Sequence, residues 1–380
     1  MMKTHVVVIG AGSTGAAIAH DLALRGLSVT LVDRFGPASG TTGHNQAQLH
    51  SGARYAVTDP ASARECIEEN LILRKIMPDA LELNDGLFIA LNEEHLQYRK
   101  RFLDACSDCG IPTTELSPAQ ALEVEPLLNP KLLAAIRIPD GVFDPYRFTL
   151  SFIAGARSNG AMFLPFTEVI GLDPLRGQVT VRSHINGGTE TIGCDAIINA
   201  AGPWSTRIAS MAGISIDLEP SAGVMATLDK RLCNMVINLL ALPDDGDIIV
   251  PQRSTSILGT TSWTVDDPDH ISIPDGPVKK LIELGEWMIP GSSRVRIRGV
   301  MAAARPLIKD ASGGRSASRT YRCYDHSKEG VPGFFSIIGG KTTTARHMAE
   351  KMSDMLCAAL GVDVPCRTRS ERLLSHRLAM

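Results

Sequence analysis

The stretch VVVIGAGSTGAAIAHDLALRGLSVTLVD, residues 6–33, decides how the rest of the chain is read. A short apolar run, Val6, Val7, Val8 and Ile9, meets Gly10, Ala11, Gly12, Ser13, Thr14 and Gly15. An alanine-rich helical pattern follows to about Arg25, and a second apolar run ends at Asp33. The order is strand, glycine turn, helix, strand, acid. Gly10 permits the tight turn, Gly12 lets backbone approach a pyrophosphate, and Gly15 lets the helix sit close to the sheet. The free N–H groups of the first helical turn then face the phosphates. Asp33 stands where a carboxylate accepts both hydroxyls of an adenosine ribose. A bare Gly-x-Gly-x-x-Gly is weak, but the flanking strands and the acid make this a dinucleotide-binding unit.

The bulk properties narrow the rest. A chain of 380 residues with 44% hydrophobic content buries a large core and has room for two domains. A net charge of −3 leaves no nucleic-acid footprint. The eight cysteines form no paired ladder, which fits a reducing, cytosolic setting. Cys106 and Cys109 make one C-x-x-C, which leaves a redox dithiol as an alternative to plain thiols. No second pair accompanies it, so no metal site is expected. The apolar run near Lys3 imitates a signal peptide, but the glycine fingerprint accounts for it better. No stretch is long enough to span a membrane.

Beyond Asp33 and Arg34, residues 36–55 are rich in glycine, threonine and hydrogen-bonding side chains, poor helix or strand material that suits a loop lying along a ligand. Helices are expected over residues 62–76, 93–109, 118–123, 145–158, 277–287 and 345–360. Strands are expected over 87–91, 134–138, 163–168, 178–183, 190–192, 194–198, 223–228, 247–250, 256–261, 295–303 and 333–338. The run at 194–198 ends in Asn199, Ala200, Ala201, Gly202, Pro203 and Trp204, small residues that again let backbone approach a ligand. Gly339, Gly340, Lys341, Thr342, Thr343 and Thr344 open the last helix and form a second place where helix N–H groups face an anion. The basic tail beyond Gly361 is expected to fray or to cap a partner.

Residues 10–15, 50–59 (HSGARYAVTD), 62–69, 140–147, 199–204, 258–261, 304–307 and 339–344 carry a family likeness over nearly the whole chain. The chain resembles the FAD-dependent respiratory glycerol-3-phosphate dehydrogenases, in particular the anaerobic catalytic subunit, within the D-amino-acid oxidase and glycine oxidase superfamily. The resemblance implies an α/β fold: a Rossmann-like FAD-binding domain with an inserted, mostly antiparallel substrate domain. The expected division is 1–80, 135–213 and 325–380 for FAD, and 81–134 and 214–324 for substrate.

On the cofactor side the resemblance implies Gly10, Gly12, Ser13, Thr14, Gly15, Asp33 and Arg34. It adds Thr41, Thr42, His44, Asn45 and Gln48 from the loop, then Thr167, Val169, Ala200, Ala201, Gly202 and Trp204. From the last unit it adds Gly339, Gly340, Lys341, Thr342 and Thr343. Arg54, Tyr55, Arg305 and Lys341 fall on substrate-facing positions, and Arg346 on the last residue of the family's lysine motif. The departures are Ala345 for a tyrosine, Ala222 near an absent lysine, and His44 and Gln46 for an arginine and a histidine. Ala302, Ala303 and Ala304 stand where the family has a serine before the arginine.

The resemblance implies hydride transfer from a secondary alcohol to flavin N5. Arg54 and Arg305 would hold an anionic polyol phosphate, Lys341 would stabilise negative charge, and His50 is the candidate base because histidine titrates near neutrality. A 2-hydroxy acid or an amine is the alternative substrate. A non-catalytic FAD-bearing subunit is the alternative role. The family's anaerobic subunit continues into a cysteine-bearing domain beyond the part matched here. Electrons are therefore expected to leave for a quinone directly or through a partner subunit, at the cytoplasmic side of a membrane in peripheral contact.

Overall fold

The computed structural model describes residues 3–309 and 320–379. Strand β1 (His5–Ile9), helix α1 (Ser13–Leu24) and strand β2 (Ser28–Val32) follow the expected order. They sit inside a six-stranded sheet ordered Tyr321–Asp325, Phe334–Gly339, Ala196–Asn199, β1, β2, Met162–Leu164. Every pair in it is parallel except the outermost, where Tyr321–Asp325 runs against Phe334–Gly339. Alternation along β1 serves two layers, as the strand period requires. Val6 and Val8 face one core with α1, while Val7 and Ile9 face another with Val169, Val179 and Val181 of a three-stranded antiparallel layer. Helix α1 is buried on nearly all sides, against Pro145–Ser158 and Ala345–Ala359. Ala16, Ala17 and Ala19 keep those helices close.

Among the described residues the second sheet has nine strands. Its pairs are antiparallel apart from Val236–Leu239 beside Gly86–Ala90. Its longest pairing joins Leu218–Leu228 to Ile297–Ile308, with Arg305 opposite Ser221. Ala134–Ile138 belongs to this sheet through Gly86–Ala90 and Thr114–Leu116, so the division expected at 134 falls inside a strand. A small three-stranded sheet lies alongside, in which β3 (Gln48–Leu49) pairs with Gly141–Phe143.

Several local expectations are corrected. The single strand expected over 163–168 is two, Met162–Leu164 and Thr167–Asp173. Pro165 and Phe166, with φ +55°, turn the chain between the sheets. Val236–Leu239 and Tyr321–Asp325 are strands that composition did not reveal. The tail does not fray. Arg367 donates to the Leu24 carbonyl at 2.9 Å, Leu373 N–H to the Ile76 carbonyl at 2.9 Å, and Leu373 and Ala379 are buried. Among the described residues no helix is long and apolar enough to cross a membrane.

Arg346 stands apart from the site it was associated with. It is fully buried and grips Glu69 of helix α2 (Pro60–Ile76) through Nε at 2.8 Å and Nη2 at 2.5 Å. Its Nη1 reaches Glu350 at 2.7 Å and Thr368 at 3.0 Å. This knot joins α2, the last helix and the tail. Arg346→Ala leaves Glu69 buried without its partner, so the unfolding free energy is expected to fall by about 3–5 kcal/mol. Denaturant unfolding measures this; a loss below about 1 kcal/mol would contradict the role.

Candidate active site

A cavity of about 1020 Å³ runs between the strand tips of the parallel sheet and the face of the antiparallel one. Its first end is built by the glycine turn. Gly10 has φ +104°, and a Cβ there would lie 2.6 Å from the Ala200 carbonyl oxygen. Gly12 caps α1 without any side-chain hydrogen bond, so the first N–H groups point outward for an anion. Ser13 N–H donates to the Thr42 hydroxyl at 3.1 Å. Gly15 does not line the cavity. It lies underneath, where a Cβ would stand 1.9 Å from the Gly10 carbonyl oxygen, so its role is packing.

Asp33 accepts Ala11 N–H at 2.7 Å and Phe35 N–H at 2.8 Å, so it braces the turn as well as facing the cavity. Burial pushes its carboxyl up, against those hydrogen bonds. Arg34 lies over the Trp204 ring at 4.6 Å and pairs with Asp269 at 2.5 Å. Asp269 also takes the Trp204 indole N–H at 2.8 Å and an ion pair from Arg207. Burial raises the Asp269 carboxyl, but these donors hold it down at about 2. Pro268, Asp269 and Ile271 thereby cover this end, a contribution from the second sheet's connection that the sequence reading missed.

The loop after Arg34 follows the cavity wall. Thr41 donates to the Ala304 carbonyl at 2.6 Å, His44 Nδ1 lies 2.9 Å from the Gly40 carbonyl, and Asn45 bridges Thr42 and Ala47. Thr41, Thr42, His44, Asn45 and Gln48 all line the cavity. So do Thr167, Val169, Ala200, Ala201, Gly202, Trp204, Gly339, Gly340, Thr342 and Thr343.

The other end gathers the charges. His50 N–H donates to Thr343 Oγ1 at 3.2 Å, and its ring lies 5.3 Å from that of Tyr55. Lys341 Nζ sits 4.8 Å from the Tyr55 ring centroid, within cation–π range. Arg305 is fixed by Thr260 Oγ1 at 2.8 Å and the Thr261 carbonyl at 3.1 Å. Gly223 leaves the room for it, since a Cβ there would lie 2.4 Å from Arg305 Nη2. Arg54 pairs with Asp247 at 2.5 Å. His50, Arg54, Tyr55, Arg305 and Lys341 share the cavity lining.

Two of the expected pocket changes lie elsewhere. Ala222 and Ala345 are wholly buried and neither lines the cavity. Along Leu218–Leu228, Gly223 and Met225 face the cavity while Ala222 and Val224 turn to the opposite side, and Ala345 packs in the core around α1. Ala302, Ala303 and Ala304 do line it, as an apolar wall.

Asp140, in the sequence only the first residue of the 140–147 motif, proves to hold the loop in place. It accepts Ser51 N–H at 2.6 Å and Gln48 Nε2 at 2.6 Å. From α2, Asn70 donates to the His50 carbonyl at 3.2 Å, and Arg74 donates to the Pro139 and Asp140 carbonyls at 2.8 and 3.0 Å. Turn composition carries no signal for a carboxylate that points inward. Cys106 and Cys109 are buried thiols outside this cavity, and burial pushes Cys106 up to about 12.

With this geometry in place, comparison with known proteins adds the chemistry. A family model described as FAD dependent oxidoreductase matches residues 5–346. The chain is 42% identical over 376 residues to a subunit of the anaerobic glycerol-3-phosphate dehydrogenase of Escherichia coli (strain K12), covering 96% of this chain and 69% of that one. It is 38% identical over 380 residues to the corresponding protein of Haemophilus influenzae, covering 98% and 68%. It therefore spans about two thirds of the length of these relatives. Its fold is similar to that of glycerol-3-phosphate dehydrogenase from Bacillus halodurans complexed with FAD, with TM-score 0.73 and 25% identity over 98% of this chain and 68% of that one.

The residues present fit FAD: a helix N-terminus whose N-cap is a glycine, a half-buried carboxylate beside it and a glycine cradle that a Cβ would fill. Asp33→Ala is expected to raise the FAD dissociation constant about 10- to 100-fold, the cost of losing an acceptor. Fluorescence titration of apoprotein measures it; unchanged affinity would reduce Asp33 to a turn brace. Asp140 gives a pH signature. Burial lifts its carboxyl from 3.8 to about 6, only partly offset by Ser51 and Gln48. The unfolded chain releases that proton near pH ~4. The stability lent by the protonated form is thus full below about pH 4 and lost as pH rises through 6. The melting temperature of Asp140→Asn relative to the parent should therefore climb between about pH 4 and 6 and then level off. A pH-independent difference would contradict this.

Proposed function

The chain belongs to the FAD dependent oxidoreductase family, and on that premise we propose that it is a dehydrogenase oxidising the secondary alcohol of glycerol 3-phosphate or a closely related polyol phosphate. The observation that carries the reading is the polarity of one continuous cavity. At one end stand a helix N-terminus with a glycine N-cap and Asp33; at the other stand Arg54, Arg305 and Lys341 with His50 and Tyr55. A polyol phosphate offers that second end a dianion and, a few bonds away, a hydroxyl.

Arginine's planar donors suit phosphate oxygens, and buried charge-assisted hydrogen bonds are the strong ones. Arg305 has its Nη2 fixed on the Thr260–Thr261 segment, so it meets the anion already oriented. Lys341 adds positive charge where electron density accumulates. His50 takes the hydroxyl proton. Its backbone is held on both sides, by Thr343 at the N–H and Asn70 at the carbonyl. When bound, FAD supplies the two-electron acceptor for the hydride leaving the carbinol carbon.

Electrons then pass to a quinone or to a partner subunit, with the protein in the cytoplasm and in peripheral contact with the membrane's inner face. Support for a partner comes from the Escherichia coli and Haemophilus influenzae relatives, which are named as subunits of an anaerobic dehydrogenase.

Anaerobic mixing of the FAD-loaded protein with glycerol 3-phosphate should bleach the flavin absorbance rapidly. Neutral glycerol should act far more slowly. Arg305→Ala should raise the half-saturating concentration of glycerol 3-phosphate on the order of 100-fold, the cost of truncating one partner of a buried charge pair. Equal bleaching by glycerol, indifferent to Arg305, would contradict the anion-binding role. Bleaching by 2-hydroxyglutarate, lactate or an amino acid alone would assign a different substrate.

A further inference from the structure

Arg54 stands on the short turn Ala53–Tyr55, directly after Gly52. Gly52 has φ +93°, and a Cβ on it would lie 2.2 Å from the Ala63 carbonyl oxygen, so the turn is seated hard against α2. The guanidinium is largely buried, and one nitrogen makes all its hydrogen bonds to the described residues. Nη2 donates to Asp247 Oδ1 at 2.5 Å and to the Asp244 carbonyl at 3.2 Å. Asp247 is itself anchored before it meets the arginine. Its Oδ2 accepts Asp244 N–H at 2.9 Å, and its carbonyl accepts Leu239 N–H at 3.0 Å.

The placement is asymmetric. Arg54, Asp244 and Ile248 line the cavity, whereas Asp247 does not. The carboxylate therefore grips the guanidinium from behind the cavity wall. Both hydrogens of Nη2 are engaged. Among the described residues nothing accepts from Nε or Nη1, which leaves three N–H donors on a cation that lines the pocket.

We propose that Asp247 is the positioning residue for Arg54: it fixes one nitrogen so that Nη1 and Nε are presented to an anionic oxygen in the cavity. This inference rests on the polyol phosphate reading and deepens it. Arg54 and Asp247 form a neutral pair, so Arg54 supplies directed donors more than net charge. The positive charge that balances a phosphate dianion then comes from Arg305 and Lys341. A loose arginine would have to give up its rotamer freedom on binding, whereas one held at Nη2 has already done so.

The test is a double-mutant cycle on the FAD-loaded protein, using inorganic phosphate as the probe and the flavin absorbance change as the readout. Arg54→Ala and Asp247→Ala should each weaken phosphate binding about tenfold, a typical loss for one charge-assisted hydrogen bond. The double variant should match Arg54→Ala within about twofold, because Asp247 acts only through Arg54. A double loss equal to the product of the two single losses would show a merely structural aspartate and overturn the proposal. So would undiminished binding in Asp247→Ala, or no phosphate binding by the parent protein. Should Asp247→Ala not fold, Asp247→Asn keeps the volume and one acceptor. It should weaken binding about threefold in the parent and not at all in the Arg54→Ala background; equal effects in both backgrounds overturn the proposal. Glycerol 3-phosphate bleaching is followed in parallel. If phosphate couples through the cycle while glycerol 3-phosphate leaves the flavin oxidised, the substrate reading fails and the positioning role stands.

Discussion

Everything in this molecule is arranged around two places where a side chain cannot exist. A Cβ on Gly10 would lie 2.6 Å from the Ala200 carbonyl oxygen, and one on Gly15 would lie 1.9 Å from the Gly10 carbonyl oxygen. These contacts press the first turn of α1 onto the tips of β1 and the neighbouring strand Ala196–Asn199. The helix N-terminus is thereby aimed along the cavity, with a glycine at its N-cap that brings no side chain to it. Asp33 completes the arrangement by accepting Ala11 N–H from inside the turn. Binding and folding share the same few atoms, which is why neither Gly10 nor Asp33 has a purely functional role.

Helix α2 links this end to the other. Adjacent residues on it perform different tasks. Glu69 holds Arg346 and with it the last helix, while Asn70 holds the backbone on which His50 stands. Thr343, at the start of that last unit, closes the ring by accepting His50 N–H. The segment 48–55 is therefore fixed between α2, Asp140 and the loop after Phe334–Gly339, although short loops of this composition hold no structure alone. The charged side chains it presents inherit that rigidity, and the cavity wall behind Arg54 extends it to Asp247.

The dinucleotide unit was legible because its signal is local: each glycine answers a steric demand within a few residues, and the apolar runs on either side are unambiguous. The large sheet was legible in outline. Val236–Leu239 escaped because its strand character comes from pairing with the distant Gly86–Ala90, and Tyr321–Asp325 because its short, mixed run forms a strand only at the sheet edge beside Phe334–Gly339. Many cavity-lining residues were found through motifs, but Pro268, Asp269 and Ile271 were not, nor was what stands behind the lining. Asp140 reads only as the start of the 140–147 motif and Asp247 as one acid among several in 244–247, and only the fold shows which of these carboxylates turns inward. Arg346 illustrates the converse: it lies in a motif next to the site and serves the core. Ala222, a departure from the family's pattern, lies outside the cavity for a simple reason: a strand alternates its faces and this residue faces away.

The central claim is that three segments far apart in sequence, residues 10–15, 39–51 and 339–344, form one wall around the cofactor. Amide hydrogen exchange of the protein with and without FAD tests it directly. The account predicts that FAD slows exchange in all three segments together, with the 39–51 loop changing most because most of its backbone lies outside α-helix and sheet. Protection confined to residues 10–15, with the other two segments exchanging as in the cofactor-free protein, would contradict it.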